Sequence, residues 1–199
     1  MFRPRALEGT NPVNKKLAAA ASCCAVLMLV LSGCGDDGDN KTDAWAKKVC
    51  DGWQPNLKKI EEANAEIKRV STADTKSEDV QKTDSAAFQQ ISDAYKSLAQ
   101  TLTQAGAPPV KNGEATQKAA ADGFNSSAKA YAELKAKMDA LDPKDQRKFA
   151  DDLKPVAEGL KEAAKGAEEA SEKLKSGGVS QAMNAQKGCQ MTVPAPSKS

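Results

Sequence analysis

Ser126-Ser127-Ala128-Lys129 carries the Ser-x-x-Lys spacing, in which the serine attacks an acyl group. That chemistry also needs a sheet, a Ser-Asp-Asn-type element and a Lys-Thr-Gly strand. The chain contains neither tripeptide, and its four residues fall inside a predicted helix. Three adjacent acid pairs, Glu61-Glu62, Asp151-Asp152 and Glu168-Glu169, are the other candidates for proton transfer. Two carboxylates doing acid and base work must face one cleft with their pKa values pushed apart. Neighbours on a helix diverge by about 100°, and lysines surround each pair. A solvated face with short-range pairs such as Glu61 with Lys58 is therefore expected. Histidine is absent from all 199 residues, which removes the commonest general base and the commonest metal ligand together. No catalytic, cofactor-binding or metal site is expected.

Leu31-Ser32-Gly33-Cys34 carries more information. It resembles the lipobox of bacterial lipoproteins, Leu-[Ala/Ser]-[Gly/Ala]-Cys, and follows an apolar run from Leu17 to Leu31 behind Lys15-Lys16. The run is too short for a comfortable span of about 20 residues. The resemblance implies a diacylglyceryl group on the Cys34 thiol, cleavage before Cys34, and removal of residues 1–33 as a signal peptide. The sixteen residues ahead of the run make a long leader. A start at Val13, read as methionine, would give a compact Met-Asn-Lys-Lys opening. Setting aside Arg3, Arg5, Lys15, Lys16 and Glu8 leaves 166 residues with 25 basic and 26 acidic side chains. That near-neutral balance makes nucleic acid a poor partner, and the length suits one domain.

Of five cysteines, Cys23 and Cys24 leave with the signal segment and Cys34 takes the lipid. Cys50 and Cys189 remain, and outside the cytoplasm two such thiols usually pair. Closing a loop of roughly 140 residues would stabilise the fold by about 4–5 kcal/mol on the chain-entropy model. The alternative is two buried free thiols.

Residues 34–43, acidic and glycine-bearing, read as a flexible tether. A calcium loop counted from Asp37 fails, because its sixth position is Thr42 and its twelfth Lys48. From Asp43 the spacing is helical. Trp45, Val49, Trp53, Leu57, Ile60, Ile67 and Val70 step by three, four or seven, with Pro55 marking a kink or break. Ser77 is placed to cap a second helix carrying Phe88, Ile91, Tyr95, Leu98 and Leu102, which Gly106-Ala-Pro-Pro109 stops. Asn112 is placed to cap a third, with Phe124, Tyr131, Leu134, Met138 and Leu141. Asp142-Pro143 reads as N-cap and first residue of a fourth, running through Phe149, Leu153, Val156, Leu160, Ala163, Ala167, Ala170 and Leu174. The alanines of its later half either let a neighbour approach closely or leave its outer end weakly packed. Gly177-Gly178 breaks it, residues 179–187 form a short fifth helix delivering Cys189, and residues 191–199 form a disordered tail.

No strand pattern competes. The expected fold is all-α: an up-down antiparallel bundle of four main helices over residues 44–190, plus a short C-terminal helix, tied by one disulfide. Trp45 and Trp53 read first as core, with a ligand or partner groove and contact with lipid headgroups as the alternatives; Tyr95 and Tyr131 read as core, with a pocket as the alternative.

Val49-Cys50-Asp51 with Trp53 and Pro55, Thr83-Asp84-Ser85 with Phe88, residues 105–109, Lys148-Phe149-Ala150 and Gly188-Cys189-Gln190 together resemble the small secreted lipoproteins of actinobacteria, streptomycetes especially. The resemblance covers most of residues 45–190 and implies a surface lipoprotein, held to the outer face of the plasma membrane by Cys34 and also open to release. It brings no activity with it. The expected function is a non-catalytic interaction or structural module of the cell envelope, with an envelope protein as partner. The alternative is a small-molecule binder with a pocket between helices.

Overall fold

Helical periodicity and the scarcity of β-branched residues are realised in four long helices. The computed structural model describes residues 36–72 and 74–190, so the signal segment, Cys34 and the tail fall outside the described residues. The long helices are α1 (Asp36–Thr72), α2 (Ser77–Ala105), α3 (Gly113–Asp139) and α4 (Gln146–Ser176). A five-residue α5 (Ser180–Asn184) and a 3-10 turn (Lys187–Cys189) follow among the described residues. Short connections reverse its direction between successive long helices. The expected fold class is the observed one, and no strand occurs among the described residues.

α1 begins earlier than the spacing predicts. Residues 36–43 lie in its first turns, not in a tether. The physical reason is local: Asp39 sits near the positive end of the helix dipole. Thr42, largely buried, also donates its hydroxyl to the Gly38 carbonyl at 3.0 Å. Pro55 does not break α1. It lies on the exposed face, where water can serve the carbonyl that proline leaves without a helical donor. Trp45, Val49, Trp53, Leu57, Ile60 and Val70 are buried as expected, and Ile67 is partly so.

The caps differ from their sequence reading in detail. Lys76 occupies the N-cap of α2, and Ser77 is its first residue, making no capping bond. Asn112 is the N-cap of α3, but its side chain caps nothing and its backbone is left-handed at φ 60°. α4 starts at Gln146, not Pro143. Its cap is Asp145, whose Oδ1 accepts from the amides of Arg147 and Lys148, both at 3.1 Å. Asp142 instead accepts from the Lys144 amide at 3.0 Å, a local turn that uses up its carboxylate two residues on. Gly106 ends α2 at φ 82°, and its carbonyl accepts the Trp45 indole N–H at 2.8 Å.

α1 packs along α2, α2 along α3 and α3 along α4. No Cα of α1 comes within 8 Å of one in α4; α5 and the 3-10 turn lie on α1 instead. Cys50 and Cys189 are joined, Cα to Cα 5.0 Å, across 139 positions of sequence. The α3–α4 seam is the tightest. A Cβ on Gly166 would stand 2.4 Å from the Gly123 carbonyl oxygen, so the two backbones touch. Ala163, Ala167 and Ala170 are buried along the same seam, the close approach that is one of the two readings of the alanine run.

Candidate functional site

The Ser-x-x-Lys residues lie on α3, in a helix rather than beside a sheet. Ser126 and Lys129 are both exposed, and the Lys129 ammonium faces Glu133 at 3.9 Å. Ser127, their neighbour, is 1% exposed and faces the opposite way. Its hydroxyl donates to the Ala163 carbonyl at 2.6 Å and accepts from the Ala167 amide at 2.8 Å. Those two groups are a natural i→i+4 pair of α4, so the hydroxyl sits within that turn and locks α3 to it.

The acid pairs are spread over wet faces. Lys58 meets Glu62 at 3.7 Å, not Glu61. Lys154 meets Asp151 at 2.8 Å, and Lys148 pairs with Asp152. Glu168 and Glu169 are exposed on α4. Such exposed pairs contribute little, typically about 0.2–1 kcal/mol each. No group of three or more metal-ligating side chains occurs among the described residues. No helix there is long and apolar enough to cross a membrane.

Trp53, Phe88, Tyr95, Phe124 and Tyr131 meet in one layer of the core. Trp53 and Phe124 meet edge to face at 5.3 Å. Tyr95 stacks on Phe124 at 6.2 Å and on Tyr131 at 5.7 Å, and Tyr131 tilts toward Phe88 at 6.3 Å. The indole N–H of Trp53 donates to the Leu98 carbonyl at 3.0 Å. Burial pushes the Tyr131 phenol up to about 12. Burial first, then Tyr131 and Glu168, raises the Tyr95 phenol as well. Both stay neutral under ordinary conditions.

Two hollows stand out, and none of these aromatics lines either. The larger is an open groove of about 860 Å³ between α1 and α2, bordered by Glu62, Glu66, Arg69, Asp79 and Lys82 over Ala63 and Ala87. The smaller lies beside Gln81, Ser85 and Asp139. Hydrogen bonds from Lys135 and Ser85 hold the Asp139 carboxyl below the usual range.

Asp84 was not legible as a buried group. It is 7% exposed, one Oδ lacks any partner, and burial raises its pKa to about 6. The signal was present in the spacing: Asp84 stands seven residues before Ile91 and fourteen before Leu98, on the buried stripe of α2. No protein-family model, curated protein or solved structure matches this chain.

Proposed function

We propose that this chain is a lipid-anchored extracytoplasmic protein of the actinobacterial type, acting as a non-catalytic interaction or structural module of the cell envelope. The observation that carries the reading is Leu31-Ser32-Gly33-Cys34 at the end of an apolar segment behind two lysines. The disulfide supports it, because such bonds persist in oxidising compartments. Two acyl chains on Cys34, at about 0.8 kcal/mol per buried methylene, would make anchoring stable. The commitment of the aromatic side chains to the core favours the outer faces of the helices as the surface that meets an envelope partner.

Expression of the Cys34→Ala chain in an actinobacterial host, followed by membrane fractionation and intact mass, tests the reading. The expected outcome is loss from the membrane fraction, with uncleaved or released protein in its place. A variant that stays anchored and is processed as before would sink the proposal.

A further inference from the structure

The segment after α4 is fastened to the bundle in an unusual way. Gly177 ends α4 and Gly178 follows at φ 83°, a conformation that leaves glycine free to turn. Beyond them, α5 and the 3-10 turn pack on α1 and scarcely on α4. Ala46, Val49 and Cys50 are fully buried on α1 at this level. The segment approaches closely enough that a Cβ on Gly188 would fall 2.5 Å from the Cys50 carbonyl oxygen. Its backbone hydrogen bonds run within itself: Met183 to Val179, Ala185 to Gln181, Gln186 to Met183, Cys189 to Gln186 and Gln190 to Lys187. The side chains of Gln186 and Gln190 likewise reach only Ala182 and Asn184.

What holds the segment down is therefore three apolar side chains, Val179, Ala182 and Met183, and the bond from Cys189 to Cys50. Three such side chains, one of them an alanine, offset only part of the entropy of ordering a dozen residues. The disulfide supplies the rest by keeping the end close. The two residues also differ in burial: Cys50 is fully buried, and Cys189 only partly.

We propose that residues 178–190 form a strap latched by the Cys50–Cys189 bond, which a dithiol opens to uncover the face of α1 around Cys50 without unfolding the bundle. A thiolate of the dithiol attacks the Cys189 Sγ. The sulfur–sulfur bond breaks, and Cys50 leaves as a thiolate and takes up a proton. The second thiol of the reductant then attacks its partner in the mixed disulfide, freeing Cys189. Two electrons and two protons pass to the protein, and the dithiol becomes a disulfide. The strap swings on Gly177-Gly178, and exchange with an oxidised dithiol, the same steps run in reverse, closes it.

Hydrogen exchange on the full chain, before and after treatment with dithiothreitol, tests this. Alkylation and peptide mass mapping verify that Cys50 and Cys189 have been freed. The expected result is exchange at least ~10-fold faster in residues 179–190, with residues 85–102 and 120–134 as protected as before. The Cys189→Ser chain should show the same pattern in oxidising buffer. If it fails to fold, the reduced native chain decides alone. Three results would overturn the proposal: a bond that resists dithiothreitol in the folded protein, a strap that stays protected after reduction, or loss of protection in all helices together.

Discussion

The seam between α3 and α4 and the aromatic layer where α1, α2 and α3 converge reach similar burial by opposite means. In the seam, small side chains let backbones touch at Gly123 and Gly166, and Ser127 bridges the helices through both its proton and its lone pair. In the aromatic layer Phe88, Tyr95, Phe124 and Tyr131 fill the space beside Trp53 with rings. The difference is one of what each region can absorb. The layer resists losing volume, and the seam resists gaining any.

Trp53→Ala should give the largest effect. It removes a buried indole packed edge to face on Phe124, together with its bond to the Leu98 carbonyl. A loss of about 4 kcal/mol is expected in denaturant unfolding. A stability change under about 1 kcal/mol would mean that Trp53 does not fill the core. Gly166→Ala comes next and reverses the logic, since one methyl group would meet the Gly123 carbonyl oxygen at 2.4 Å and the Ser127 hydroxyl at 2.9 Å. About 3 kcal/mol should be lost, although alanine is the better helix former by about 1 kcal/mol. A stabilised Gly166→Ala chain would show that the two helices can part at no cost, ending the contrast between the regions.

Much of this was legible because large apolar residues recur with period 3.5, so the stripes of α1, α2 and α3 and the pairing of Cys50 with Cys189 came from spacing and elimination. Helix ends were not legible to the same degree. Asp142 and Asp145 both lie before α4, and the cap fell to Asp145, whose Oδ1 reaches two free amides. The acidic residues after Cys34 read as a tether because they lack apolar partners, yet acids suit the start of a helix. Ser127 stood inside the Ser-x-x-Lys spacing, but its work is structural and needed α4 in place to be seen. The lipidation reading at Cys34 rests on residues whose placement the structure does not describe.

Two buried polar groups, Ser127 in the seam and Asp84 on α2, fare differently, and Asp84 sharpens the point. Ser127 is satisfied on both sides, whereas one oxygen of Asp84 is buried without a partner on the core face of α2. Burial alone raises the Asp84 pKa, from 3.8 to about 6. The folded chain therefore keeps its proton to about pH 6, while the unfolded chain releases it near pH 4. Between these values the native state binds more protons, so stability falls as pH rises, and above about pH 6 the full cost of an ionised Asp84 is present. Two pKa units correspond to about 3 kcal/mol. Asp84→Asn removes the charge but leaves an amide to desolvate, so a gain of about 2 kcal/mol is expected at pH 8. At pH 4 the native carboxyl is already neutral, and the two chains should unfold together. Urea titrations of both at the two pH values measure the difference. A gain that persists at pH 4 would trace to packing rather than charge, and no gain at pH 8 would mean that water reaches Asp84 as freely as it reaches the acids of the outer faces.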